Sequence, residues 1–517
     1  MSKRPNLEAS DGWKRPAKYA TLEKESAAEK TTGSLIAQFE SAEGERAGPQ
    51  LDVPLDTTPA QLALILNTLL QNEESVPYSF YVGDGEVTGA LGEALGDTST
   101  EQAVKIVYVP QAVFRVRAVT RCTSTLPGHA EALLSSSFSP DGKVLATGAG
   151  DHCVRLWETG TELPKANLKA HKDWVLAIAW SPCGRFILSG GKDGALALWS
   201  SSADTKNAAP VRTINAHKKW VNAVAWEPMH AAGGGAGGSG EGEGGSSLVD
   251  GGISLRFASA SKDGSVRLWE RLTGRCFGTL SGHANSVSCV KWGGEGLIYT
   301  GSHDRSIKVW AVDGCKLVRS LEGHGHWINC LALNTDAAMR SGAHDHRGNA
   351  PATHKEQIAE ASKRYLAAKG SGGELLASGS DDFTLFLWQP SAGKRPIARL
   401  TGHVQLVNAC AFSPDGSLLA SASFDGSVRL WHGKTGKFVA TLRGHVGAVY
   451  QLAWSQDSRL LASGSKDSTV KVWQAQGRKL LEDLPGHADE VYTVDWSPDG
   501  ERVASGGKDR NLKIWRR

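Results

Sequence analysis

No two cysteines of this sequence stand at CxxC spacing; the eight present are scattered, at Cys122, Cys153, Cys183, Cys276, Cys289, Cys315, Cys330 and Cys410. That argues against a zinc ribbon or a thioredoxin-type centre and fits a reducing intracellular compartment. An apolar N-terminal run is missing, and so is any apolar stretch of the ~18 residues that a membrane helix needs, so neither a secretory signal nor a membrane span is expected. Neither sign of charge dominates: 57 Lys and Arg against 54 Asp and Glu leave a formal charge of +3. A balance that close excludes a uniformly basic nucleic-acid binder but not a local basic patch. Glycine and tryptophan, by contrast, abound, at 60 and 17 residues.

Repetition explains much of both. In HVGAVYQLAWSQDSRLLASGSKDSTVKVW (445–473) a His is followed by Ser463, Asp467 and Trp473. The same order recurs as His129, Thr147, Asp151 and Trp157, and again from His171, His217, His283, His324, His403 and His487. With His445 these make eight sets; the set from His283 is one residue shorter, and those from His217 and His324 carry insertions. A repeat of this kind is the signature of a WD40 propeller. Each unit holds short runs of alternating polarity, read as four antiparallel strands, joined by turns such as Ser139–Gly142 and Ser413–Gly416. Five further tryptophans (Trp180, Trp226, Trp292, Trp454 and Trp496) lie on the first strand and are read as blade core. A His, a hydroxyl and an Asp together suggest a hydrolase triad. Eight copies do not, because an enzyme needs one site whereas a scaffold needs the same brace in every blade. The sets are therefore read as buried hydrogen-bond networks. The Trp-Asp dipeptide that names such repeats is absent. The last repeat ends near Trp515 without an outer strand, and AVFRVRAVT (112–120) is expected to supply it, closing an all-β eight-bladed propeller over 111–517.

Two insertions break the period. The segment 231–252 is a glycine-rich loop. The segment 337–372 contains THKEQIAEASKRYLAAK, with a capping box from Thr353 and Glu356 and an apolar stripe of Ile358, Ala361, Tyr365 and Ala368; this helix either packs on a blade or meets a partner.

Ahead of the repeats, residues 1–33 read as a disordered polar tail with two Lys-Arg-Pro triplets, a weak nuclear-import signal. Residues 34–110 read as an α+β domain. SLIAQFES and QLDVPL are strands. Thr58 caps a helix with Pro59 at its first position, and Leu62, Ile65, Leu66 and Leu69 share one face. YSFYV and AVKIVYV are two more strands. This order resembles ubiquitin (a β-grasp), without the terminal Gly-Gly needed for conjugation.

A ubiquitin-like domain fused to eight WD repeats resembles the Notchless family of ribosome assembly factors. The strings that carry the resemblance are QAVFRVRAVTRC (111–122), SVSCVKWGGEGLIYTGSHDRSIKVW (286–310), SDDFTLFLW (380–388) and SASFDGSVRLW (421–431). It implies a non-enzymatic factor of large (60S) subunit maturation in the nucleolus and nucleus. On this likeness the propeller docks on the pre-60S particle, while the ubiquitin-like domain is gripped by the metal-ion-dependent adhesion site of the AAA ATPase midasin. The protein would hold no cofactor of its own; the partner would hold Mg2+, and one carboxylate from this chain would complete its coordination. The matching acid is Glu101 in STEQAVKIVYVP, with Glu93, Asp97 and Asp84 as nearby competitors. A hard cation with one open position accepts such a ligand.

The loops bearing the repeat His and Asp share one face of a propeller. Lys192, Lys262, Lys466 and Lys508 precede the repeat Asp, Lys172, Lys218 and Lys219 follow a repeat His, and Trp174, Trp220 and Trp327 sit three residues after it. Lysines interleaved with exposed indoles suit RNA or a protein strand, and this face of a monomer is expected to meet the particle. The competing reading is a signalling or ubiquitin-pathway scaffold of Notch type.

Overall fold

The structure, a computed structural model, describes residues 34–41, 46–70, 77–83, 85–87, 89–92, 103–110, 115–202, 208–231, 255–370 and 372–517. Two compact units divide between residues 113 and 114. The tail 1–33, most of the glycine-rich insertion, and Glu101 with Glu93, Asp97 and Asp84 lie outside the described residues.

The first unit holds β1 (Ser34–Ser41), β2 (Arg46–Pro54), α1 (Pro59–Leu69), β3 (Tyr78–Val82), β4 (Gly85–Glu86) and β5 (Val104–Pro110). The sheet runs β2-β1-β5-β3-β4, with β1 and β5 parallel and the remaining pairs antiparallel. Pro59 opens α1, where its missing N–H costs nothing, and Gln61 Oε1 accepts from the Thr58 N–H at 2.8 Å. The spacing of 62 and 66 turns Leu62 and Leu66 onto one face, and both are fully buried with Phe39, Phe80 and Ile106. This is the mixed α/β domain expected from the strand and helix order.

The second unit is eight four-stranded antiparallel sheets. The first strand of each sheet touches the first strand of the next, and the eighth (Val491–Trp496) returns to the first (Leu133–Phe138). Polar bonds tighten that seam: the Ser136 N–H donates to Thr493 Oγ1 at 3.0 Å and the Phe138 N–H to Asp495 Oδ2 at 2.8 Å. Trp180, Trp226, Trp292 and Trp496 are buried in the blade cores as expected, and three of the first-strand tryptophans also join one blade to the next. Trp180, Trp226 and Trp454 donate their indole N–H to Ser137 O, Ala179 O and Ala411 O of the preceding blade, at 2.8–3.0 Å.

The closing strand differs from expectation. It is Arg121–Pro127, paired with Asn511–Arg516, and not 112–120. Residues 115–120 instead run along the seventh blade, where the Val116 N–H donates to Asp457 Oδ2 at 2.7 Å and Val116 and Val119 are buried. These apolar residues serve packing instead of sheet pairing.

The insertion after the first strand of blade 5 forms α2 (Asp336–Ser341) and α3 (His354–Lys369). Thr353 Oγ1 accepts from the Glu356 N–H at 3.3 Å, giving one half of the expected capping box. Ala361 and Tyr365 are buried, with Ile358 packed beside them. Because it follows the far end of a first strand, the insertion lies at the end of the ring opposite the His and Asp loops. From there it reaches well beyond its own blade. Asp336 Oδ2 pairs with Lys291 Nζ of blade 4 at 2.8 Å, and Arg340 Nη1 with Asp495 Oδ1 of blade 8 at 2.8 Å. Arg340 also donates to Phe138 O of blade 1 at 3.4 Å, and His230 of blade 3 stacks on Tyr365 at 4.2 Å. Gly342 has a positive φ of 56°, and a Cβ there would sit 2.6 Å from Pro182 O of blade 2, so the close approach needs glycine. The helix α3 packs on the protein itself, and the insertion as a whole ties five other blades together across one mouth of the ring.

Candidate interaction face of the propeller

Every blade carries the expected brace. Across the eight, His Nδ1 lies 2.8–3.3 Å from the Asp carboxylate and His Nε2 2.7–2.9 Å from the Ser or Thr hydroxyl. The Trp does more than cover the set: its indole N–H donates to the same hydroxyl at 2.7–2.9 Å. One proton order satisfies the whole chain, in which indole N–H donates to the hydroxyl, the hydroxyl to Nε2, and Nδ1–H to the carboxylate. The hydroxyls are fully buried and already engaged, Thr147 and Ser463 among them at 0% exposure. None is poised as a nucleophile.

The same bonds set how the brace responds to acid. Burial raises the Asp193 carboxyl, but the His171 hydrogen bond and the backbone N–H groups of Lys172 and Ala195 outweigh it, and the value falls from an ordinary 3.8 to about 2. Asp304, Asp382, Asp425 and Asp467 are lowered in the same way, by bonds to their His and to backbone N–H groups that overcome burial. A depressed carboxyl contributes stability that is complete above its unfolded value and lost as pH falls through its folded one. Thermal unfolding followed at stepped pH is therefore expected to show a first loss of stability as pH falls below 6.5, where burial holds His217, His230, His303 and His344 below their ordinary value, and a further loss from the carboxylates below 3.8.

The braces hold the loops that form the candidate face. Trp174 O accepts from the Lys192 N–H at 2.8 Å, Trp220 O from the Lys262 N–H at 2.9 Å, and Trp327 O from the Asp381 N–H at 2.9 Å. The backbone at each Trp is thus pinned to the residue preceding its blade's repeat Asp. Trp174, Trp220 and Trp327 are 44%, 39% and 44% exposed. Lys192 Nζ lies between two of them, 4.5 Å from the Trp174 ring and 4.9 Å from that of Trp220, and Lys262 Nζ lies 3.9 Å from the Trp220 ring. The result is a run of indole, ammonium, indole, ammonium over blades 2 and 3, each contact a cation–π pair. Lys172, Lys218 and Lys219 are exposed beside it.

The remaining predicted residues stand apart. Trp327 meets no lysine; His303 stacks on it at 4.5 Å with rings 9° from parallel, and His326 lies 5.2 Å away. Lys508 is 3.3 Å from Asp489 and Lys466 is 4.0 Å from Glu490, so both are engaged with acids on blade 8. Sequence reasoning overlooked His303, although it holds the position before its repeat Asp that Lys192 and Lys262 hold in theirs. It also overlooked the cluster of Phe424, Tyr450 and Tyr492, whose rings meet edge to face at 5.6 and 5.3 Å, with the Tyr450 O–H donating to Glu490 at 2.9 Å.

Comparison with known proteins defines the class first. The NLE (NUC135) domain family matches residues 35–95, and the WD domain, G-beta repeat family matches eight segments between 120 and 516, so this is an NLE-domain protein with an eight-repeat WD40 propeller. The computationally designed Ika8 protein shares the propeller fold, with a TM-score of 0.56 at 23% identity over 76% of this chain and 98% of that one. The "Notchless protein homolog" of Arabidopsis thaliana is 53% identical over 399 residues, 77% of this chain and 80% of the other. Proteins named "Ribosome assembly protein 4" are 45% identical in Chaetomium thermophilum (79% of this chain, 78% of the other) and 43% in Saccharomyces cerevisiae (77% of each). The chain belongs to the Notchless family.

Proposed function

We propose that this protein is a non-enzymatic assembly factor of the large ribosomal subunit, acting in the nucleolus and nucleus. The observation that carries the reading is the 43–45% identity, over more than three quarters of the chain, to two proteins named for ribosome assembly. In this reading the propeller docks on the pre-60S particle through the face of Trp174, Trp220 and Trp327, with Lys172, Lys192, Lys218, Lys219 and Lys262. The NLE domain is the handle for the ATPase midasin, and Glu101 donates a carboxylate to Mg2+ held by that partner, which then couples ATP hydrolysis to remodelling and release. A carboxylate is the hard ligand that Mg2+ prefers. The eightfold brace supports a scaffold over a hydrolase, since its hydroxyls are engaged in every blade.

Sedimentation tests the assembly role: the protein is expected to travel with precursors of the large subunit, and its absence from them would favour the signalling scaffold. Capture of the full chain on midasin's adhesion domain tests the handle. Binding is expected in Mg2+, and Glu101→Ala is expected to reduce it at least about tenfold, as EDTA does, because the ligand lost is charged and direct. Binding indifferent to both changes would make the contact ordinary surface packing and leave Glu101 a solvated loop acid.

A further inference from the structure

A cavity of about 590 Å³ opens on blade 7, away from the tryptophan face, where residues 115–120 cross the blade. Among the described residues four arginines line it, Arg115, Arg117, Arg459 and Arg517, and no acid does. Its apolar wall includes Leu460 and Leu481. The arrangement follows from that segment. Val116 is buried and held through its N–H by Asp457, while Arg115 and Arg117 on either side of it are exposed. Both are exposed, and among the described residues neither side chain makes a hydrogen bond or ion pair. The nearby acid cannot neutralise them readily: Asp457 is buried and bound to the Val116 N–H, the Ser455 hydroxyl and the Arg459 N–H. The Thr120 N–H donates to Arg516 O at 2.8 Å, fixing the other end of the segment.

Guanidiniums gathered around one cavity concentrate positive charge there, and their planar forks suit phosphate oxygens. The volume is that of a small-molecule pocket, larger than a lone phosphate requires, and its apolar wall offers a surface for a base. We infer that this cavity is a nucleic-acid contact, taking the phosphates of a single RNA strand on Arg115 and Arg117 with a base against Leu481. The choice of RNA over a phosphorylated protein segment rests on the assembly-factor reading above; the anion site does not.

Fluorescence anisotropy of the purified full chain with labelled single-stranded polyuridine tests it without any particle present, so its outcome is independent of sedimentation. Arg115→Ala with Arg117→Ala is expected to weaken binding about tenfold and to lower the slope of log affinity against log salt by about 1.4, at ~0.7 for each phosphate contact. Lys316→Ala with Lys394→Ala, which removes equal charge from exposed positions elsewhere, is expected to change neither. Equal losses in both double variants would mean diffuse attraction and overturn the site. Failure of the wild-type chain to bind RNA would overturn the RNA assignment, and capture of a phosphoserine peptide instead, lost in the arginine variant, would reassign the cavity to a phosphoprotein. Because both arginines are exposed, unchanged melting of the variant confirms that folding is not the cause.

Discussion

Replacing Trp174, Trp220 and Trp327 together with alanine is expected to strip the protein from precursor particles, weakening association at least about a hundredfold, while its melting transition barely moves. The two halves of that expectation have separate causes. Buried aromatic anchors at an interface cost about 2 kcal/mol or more each when truncated, and a partner that covers indoles already 39–44% exposed gains that burial only on docking. In the free protein the same rings contribute chiefly cation–π contacts, worth about 0.5–1 kcal/mol at exposed sites. Single variants should rank by neighbourhood. Trp220→Ala removes the ring that Lys192 and Lys262 both approach, so it should weaken binding more than Trp327→Ala, whose ring stacks on His303 and leaves the ammonium run intact. Co-sedimentation of tagged variants checks the order. Full association of the triple variant would mean that this face is not the docking surface.

The brace is legible in the amino-acid sequence because its spacing repeats eight times, and a local rule repeated so often outweighs any single misleading match. The closing strand is not legible there, for a physical reason. Outer propeller strands are half in solvent: Arg121–Pro127 shows no fully buried residue, so it lacks the apolar alternation that marks an inner strand. The neighbouring AVFRVRAVT carries apolar residues because Val116 and Val119 pack against blade 7, three residues apart and not at the two-residue spacing of a strand. Pattern therefore reports burial correctly and pairing wrongly. The aromatic face divides in the same way. Position relative to the repeat His and Asp identifies Trp174, Trp220, Lys192 and Lys262, whose contacts lie between consecutive loops. That Lys466 and Lys508 approach acids instead, and that Trp327 meets a histidine, depends on which residue the next blade presents.

The insertion is the extreme case of that dependence, and Glu374 is where it can be tested. The helix α3 is readable from its cap and apolar stripe, but nothing local says that it clamps a ring. The clamp closes on one buried carboxylate. Glu374, 1% exposed, accepts most closely from the Gly294 N–H at 2.7 Å, the Tyr299 O–H at 2.8 Å and the Tyr365 O–H at 3.0 Å, with the Thr335 O–H farther off at 3.4 Å. The closest three come from the first turn and second strand of blade 4 and from α3 itself, so a single side chain joins insertion to scaffold. Burial is the main influence on its carboxyl and raises it, against the lowering effect of those three donors. Glu374→Ala removes the acceptor and leaves its closest donors in a dry site, each an unmet hydrogen bond of about 1–3 kcal/mol, for a combined loss on the order of 3–5 kcal/mol once partial relaxation is allowed. Glu374→Gln keeps the shape and one acceptor oxygen and should lose less than half as much. Thermal unfolding gives the size of the effect, and limited trypsin digestion gives its location. In the alanine variant, cleavage at Lys363, Arg364 and Lys369 should appear well before any cut in the blades, because the weakened segment opens locally. Equal melting of wild type and Glu374→Ala would show that the insertion is held by its ion pairs to Lys291 and Asp495 rather than by the buried carboxylate.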